Sequence, residues 1–182
     1  MSLISEGLQY EHNGTVSTTT TELFDTNYNL ITNENKDFTI FFKYDNKTGE
    51  ISDGQVERPV LTYGSLDGLL LKRYQTQAKI YCNRDTTEYS GDYPSDNTTV
   101  TICIVKEGLT VKGIKEDGSV WATATLSYEM KPLTNTLIVG GECNNNSSEV
   151  ARYHEVTFHN LLVYNKALTT EQITSIMSVL NS

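Results

Sequence analysis

Three aromatic side chains stand where a sugar ring could be met. Tyr89 and Tyr93 flank Gly91 and Asp92 in a polar stretch, and Trp121 lies in an alternating run. A pyranose presents an apolar C–H face ringed by hydroxyls, so binding it asks for a flat apolar surface with a few fixed polar groups alongside. Asp92, Asn144 and Arg152 are the polar partners on hand, which makes Tyr89, Asp92, Tyr93, Trp121, Asn144 and Arg152 the candidate ligand site. Each aromatic has an ordinary reading too. The two tyrosines serve equally as packing residues of a loop. If Val120, Ala122 and Ala124 point inward, Trp121 faces outward; the plain alternative makes Trp121 a core residue.

Oxygen ligands for a hard cation form the second candidate chemistry. Asp92, Asp96 and Asn145 could hold calcium, although no Asp-x-Asp-x-Asp-Gly loop is present. A solvated polar loop is the first reading of these residues and calcium the second; no other cofactor is expected. Catalysis finds less support. Retaining glycosidases need two carboxyl groups about 5–5.5 Å apart. Glu116 and Asp117 are adjacent, so strand alternation sends them to opposite faces, and Glu155 has no carboxylate two residues away. The three histidines are His12, His154 and His159; the last two have opposite parity, and no Ser or Cys sits in a nucleophile-elbow pattern. The chain is expected not to be an enzyme.

These residues need a scaffold, and 182 residues suit one domain spanning 1–182, of which 1–36 is the least defined. Lys and Arg number 14 against 23 Asp and Glu, a net charge of −9. That balance argues against nucleic acid, which needs a clustered basic surface, and against docking on an anionic membrane. No apolar run approaches the roughly 18 residues of a membrane span. The opening Met1-Ser2-Leu3-Ile4-Ser5-Glu6 lacks the basic and apolar regions of a signal peptide, so none is expected in this chain. Cys82, Cys103 and Cys143 are odd in number without Cys-x-x-Cys spacing, so strand or loop thiols are expected, with neither a disulfide framework nor zinc.

Short alternating runs separated by turn residues recur along the chain, as in an all-β sandwich. Phe38, Ile40, Phe42 and Tyr44 share one strand face, and Val100, Ile102 and Ile104 share another. Residues 59–63, 69–74, 78–82 and 136–139 read as strands, and 84–97 as a polar loop. Asp117-Gly118 between two strand patterns marks a hairpin. Tyr153 to Tyr164 reads as one long strand with Val156, Phe158, Leu162 and Tyr164 on one face, and Gly7-Leu8-Gln9-Tyr10 as an opening strand that pairs with it. At residues 169–180 the period changes: Ile173, Ile176, Met177 and Leu180 fall at helical spacing behind Thr169 and Gln172, a capping box.

The closing segment Asn160-Leu161-Leu162-Val163-Tyr164-Asn165-Lys166-Ala167-Leu168-Thr169-Thr170-Glu171-Gln172-Ile173 resembles the end of laminin-G-like domains of the concanavalin-A-like superfamily. Asp37-Phe38-Thr39-Ile40, Asp117-Gly118 and Leu137-Ile138-Val139-Gly140-Gly141 agree with it in order, so the resemblance spans roughly residues 37 to 176. Two departures stand out: Asp96-Asn97-Thr98-Thr99 replaces the family's frequent Trp-His-His, and Ala151 to Glu155 lacks a Gly. The resemblance implies a jelly-roll β-sandwich of two antiparallel sheets with one short C-terminal α-helix. It also implies a carbohydrate-binding or cell-surface-recognition module, of the sort found in phage tail or fibre proteins and bacterial surface proteins. The expected partner is a glycan or cell-surface polysaccharide, with no nucleic acid, no membrane insertion and a homo-oligomer or larger assembly as an option; the expected location is a virion or the cell surface. The alternatives are a structural, protein-interaction domain without a sugar site and, more weakly, a glycoside hydrolase.

Overall fold

The computed structural model describes residues 7–19, 21–46, 57–64, 67–74, 77–82, 86–89, 98–143 and 149–182. In chain order its strands are β1 (Leu8–Ser17), β2 (Phe24–Asp25), β3 (Phe38–Asn46), β4 (Glu57–Tyr63), β5 (Leu69–Tyr74), β6 (Gln77–Cys82), β7 (Thr86–Tyr89), β8 (Thr98–Glu107), β9 (Thr110–Ile114), β10 (Val120–Thr125), β11 (Leu137–Val139), β12 (Gly141–Cys143), β13 (Val150–Tyr153) and β14 (Thr157–Tyr164), followed by helix α1 (Thr170–Leu180). One six-stranded sheet runs β1-β14-β3-β8-β9-β10, a second runs β2-β11-β4-β5-β6-β7, and β12 and β13 form a separate hairpin. All pairings are antiparallel. The protein is an all-β sandwich, and the opening strand pairs with the last as its sequence implied, although it extends to Ser17.

Alternation builds the main core. Phe38, Ile40, Phe42, Ile102, Ile104 and Phe158 from the first sheet meet Leu61, Tyr63, Leu69, Leu71, Ile80 and Val139 from the second. The first sheet is also apolar on its other face, where Phe41, Cys103, Val105, Leu162 and Tyr164 pack beneath Ile173, Ile176, Met177 and Leu180 of α1. The helix is anchored at both ends. Thr169 caps it in a full capping box with Gln172. Thr39 Oγ1 donates to Lys166 O and accepts from Leu168 N, each at 2.9 Å. Lys43 Nζ reaches Leu180 O and so brings a cation to the negative end of the helix dipole.

Three departures from simple alternation follow from bulges and short strands. The stretch 153–164 is not one strand: β13 ends at Tyr153, and β14 carries a bulge at His159, where Phe158 and Asn160 oppose the consecutive residues Tyr44 and Lys43. The extra residue reverses parity, so Val156 and Phe158 enter the main core while Leu162 and Tyr164 lie under the helix. Residues 84–97 are not all loop, since Thr86 to Tyr89, rich in strand formers, pairs with β6. The third departure is at Trp121, the extra residue between Val120 and Ala122, which oppose Ile114 and Gly113. Val120 is therefore 52% exposed, while Ala122 and Ala124 are buried and Trp121 packs half-buried against the same core.

Gly113 makes room for that indole. A Cβ on it would lie 2.6 Å from Trp121 Cε2, too close for any side chain. Gly113→Val is therefore expected to displace the indole and to destabilise the protein by roughly 1–3 kcal/mol, as overpacking does. Trp121 is the single tryptophan, so a red-shifted emission in the folded variant, together with a lower denaturation midpoint, checks this directly.

Candidate functional site

The residues singled out from sequence do not assemble at one place. Trp121 sits on the inner side of β10, and β10 meets β7, whose last residue is Tyr89. Those two strands thus share one edge of the sandwich. Arg152 is on β13, opposite Glu142 of β12, and is 42% exposed by its side chain. That hairpin packs on β4, three strand spacings from β7, or about 14 Å. Asp92, Tyr93, Asp96, Asn144 and Asn145 lie outside the described residues, and among the described residues no three His, Cys, Asp or Glu side chains cluster as a metal site.

The hairpin of β12 and β13 was not foreseen, and its residues Cys143 and Val150 help to line a cavity. Beside β2 and β11 a pocket of about 430 Å³ is lined by Asp25, Asn135, Thr136, Ile138, Cys143 and Val150, with Leu23 and Thr134 completing it. Its polar wall is held by a dense set of hydrogen bonds. Asp25 Oδ1 accepts from Thr136 Oγ1 at 2.6 Å and from Asn27 N at 2.7 Å. Thr26 Oγ1 donates to Leu137 O at 2.6 Å, and Leu137 N donates to Tyr28 O at 2.8 Å. Below them the buried Tyr63 hydroxyl donates to Asn29 Oδ1 at 2.7 Å and accepts from Leu133 N at 3.0 Å. Two irregular segments, 25–31 and 133–137, are thereby fixed to each other and to the core. Asn27 takes a left-handed φ of 56°, a conformation Asn tolerates better than most residues.

Charge at this pocket is negative. Burial pushes the Cys143 thiol up from its ordinary range, and the carboxylates of Asp25 and Glu142 push it the same way. Glu142 is itself buried and paired with Lys72 at 3.1 Å. The other thiols are core residues: Cys82, pushed up to about 12 by burial, faces the main core, and Cys103, also raised by burial, lies under the helix.

Two further places carry chemically capable groups. A groove of about 400 Å³ runs between α1 and strands β8 and β9, with Val105, Ile114 and Ile173 as an apolar lining and Glu107, Lys112 and Glu171 as charged ones. On the outer side of the first sheet, His159 links Asp45 (Nε2 to Oδ1, 2.8 Å) and Thr15 (Nδ1 to Oγ1, 3.1 Å). The carboxylate only accepts, so the Nε2 facing Asp45 is the donor of that bond. Thr99 Oγ1 donates to the same Asp45 oxygen at 2.8 Å. This is the bond order of an acyl-transfer relay, yet neither described cavity contains it. Its members come from β1, β14, β3 and β8, so it ties four adjacent strands. His154 takes no part, in keeping with its separation from His159.

No protein-family model matches this chain, and no curated protein sequence matches it. Its fold is matched by solved structures at low identity. A mutant Trypanosoma rangeli sialidase displaying trans-sialidase activity aligns over 96% of this chain and 29% of its own, with 15% identity and a TM-score of 0.66. The binding domain of botulinum neurotoxin serotype D aligns over 91% of this chain and 43% of its own, with 12% identity and a TM-score of 0.64. A T. rangeli sialidase bound to 2,3-difluorosialic acid as a covalent intermediate aligns over 81% and 23%, with 14% identity and a TM-score of 0.62. The chain thus spans less than half of each of these proteins, and the likeness is one of fold.

The field at Cys143 can be measured. Removing the charge of Asp25 while keeping an oxygen for its two donors should lower the thiol pKa. In Asp25→Asn, alkylation of Cys143 at pH 8 is expected to run several-fold faster than in the parent, with the inflection of its rate–pH curve shifted to lower pH. Peptide mapping after iodoacetamide treatment reads both, and an unchanged inflection would mean that Asp25 does not govern the field there.

Proposed function

We propose that this chain is a non-catalytic recognition module of the concanavalin-A-like, laminin-G-like kind that binds a glycan on a cell surface. The observation that carries the reading is the likeness of fold, over 91% of the chain, to a toxin domain named for binding. The sialidase alignments fit the same reading, because this chain covers only 23–29% of those enzymes. The carboxylates weighed for glycoside hydrolysis serve local structure: Glu116 accepts from Thr101 N, and Asp117 from Ser119. Helix α1 covers the apolar part of the first sheet's outer face, and the β12–β13 hairpin packs on β4 of the second, so the uncovered ends, edges and outer margins of the sandwich are where contact falls. A place in a phage tail or fibre, or on a bacterial surface, suits such a module.

A second reading, a structural domain within a larger assembly, is favoured by β1. This strand has ten residues, lies at a sheet edge and pairs only with β14 among the described residues. Edges of that length are templates for strand addition.

A glycan array probed with the purified chain, with and without a chelator, tests the proposal. Saturable binding to a defined glycan class is expected. Its loss in Tyr89→Ala would place contacts on the edge shared by β7 and β10, its loss in Tyr93→Ala would bring Tyr93 into the site, and loss on chelation would bring in calcium and Asp92, Asp96 and Asn145. Absence of binding in every condition, with self-association in sedimentation, would leave the assembly reading in its place.

A further inference from the structure

The pocket beside β2 and β11 has the make-up of a site for a small polyol. Its volume of about 430 Å³ lies within the range of small-molecule sites. Aliphatic walls from Leu23, Ile138 and Val150 face polar groups from Asp25, Asn135 and Thr136. A pyranose presents the same division between C–H faces and hydroxyls. The polar groups are also set in advance. Asp25 Oδ1 is engaged by Thr136 and Asn27, which fixes the carboxylate and leaves Oδ2 outside every hydrogen bond among the described residues. Groups held before the ligand arrives cost little ordering entropy on binding, which raises affinity.

Charge narrows the ligand further. Among the described residues the lining carries one carboxylate and no Lys, Arg or His. The second carboxylate felt at this wall, Glu142, lies next along the chain from Cys143. Glu142 is compensated by Lys72 at 3.1 Å, so an anionic sugar would enter chiefly against Asp25, whereas an uncharged one can donate hydroxyl protons to that carboxylate in the charge-assisted bonds that are the strong ones.

We infer that this pocket is the binding subsite for a neutral pyranose, one without carboxylate, sulfate or phosphate groups. The inference rests on the proposed glycan recognition and assigns its site and ligand class. Cys143 lines the pocket, so it serves as a built-in reporter: an occupied pocket shields its thiol from alkylation.

The experiment uses the whole chain and a panel of free saccharides: galactose, glucose, N-acetylglucosamine and lactose as neutral probes, sialyllactose and a sulfated heparin oligosaccharide as anionic ones. Binding is followed by ligand-observed NMR and by the rate of Cys143 alkylation. At least one neutral sugar should bind and slow Cys143 alkylation at least fivefold at saturation, with the anionic probes weaker. Asp25→Asn and Asn135→Ala should each reduce that affinity tenfold or more. The wild-type protection assay needs no substitution, so a misfolded variant does not decide the outcome. Neutral-sugar binding that leaves Cys143 unprotected, or selective binding of the anionic probes, overturns the inference and leaves glycan recognition standing. Failure of every glycan, on the panel and on the array, overturns both.

Discussion

The central strands are apolar on both faces, and the rest of the molecule answers to that. In β3, Phe38, Ile40 and Phe42 point into the sandwich while Phe41 points out of it; in β14, Leu161 and Val163 point in while Leu162 and Tyr164 point out. A sheet built this way cannot leave its outer face in water, since each large side chain exposed forfeits about 1.5–3 kcal/mol. Helix α1 is the cover, which is why its register, its cap and its C-terminal tie to Lys43 are all specified. Phe41 and Tyr164 meet edge to face at 6.1 Å beneath it, a geometry aromatic pairs favour. The second sheet meets a like demand with Leu70 and Ile138, buried on strands next to the β12–β13 hairpin.

Covering the apolar parts of both outer faces narrows where the proposed recognition could happen. A sandwich with a wholly bare sheet could bind across that sheet; here the helix and the hairpin occupy part of each, which favours the ends and edges, where the backbone is irregular. Irregular backbone is a poor platform unless something fixes it. Tyr63 does so from inside the core, its ring packed with the sandwich and its hydroxyl linking Asn29 and Leu133. The pocket near β2 and β11 therefore inherits rigidity from the core, although its walls come from segments with little regular structure. Gly68 belongs to the same arrangement, because a Cβ there would collide with the carbonyl oxygen of Tyr63.

Much of this was legible in the sequence, and the failures share a cause. Periodicity located the strands around Phe38 and Val100, the Asp117-Gly118 hairpin and the capped helix, all segments where one local pattern decides one structure. It left Trp121 open between core and surface, the core alternative being the one the structure shows, and it failed at His159, where a single inserted residue reverses every later side chain; no local signal marks such a bulge, and Gly113 acquires its meaning only from the strand opposite. It also passed over the β12–β13 hairpin, whose strands of three and four residues are too short to show alternation. The pocket was illegible for a related reason. Asp25, Asn135 and Cys143 are far apart in sequence and come together only once β2, β11 and the hairpin are assembled. Nothing in the local sequence sets Asp25 or Asn135 apart from the chain's many other Asp and Asn residues.

The net charge of −9 understates how acidic the accessible surface is. Of fourteen Lys and Arg, Lys72, Arg73, Lys79 and Lys106 are buried. Lys106 is held by Glu129 at 2.9 Å, Asp37 at 3.3 Å and the Gly108 carbonyl at 2.7 Å; Arg73 donates to the buried Asn46. Among the described residues Glu142 is the one carboxylate buried alongside them. Among the described residues the protein thus draws cations inward as structural ties and leaves its carboxylates, Glu142 excepted, at least partly in water. Such a surface repels polyanions at long range, over a Debye length of about 8 Å at physiological salt. On the proposed glycan reading, the Asp25 carboxylate at the pocket and the charge distribution over the described residues both disfavour sialylated, sulfated or phosphate-rich partners, and the uncharged pyranose is the glycan class that neither opposes.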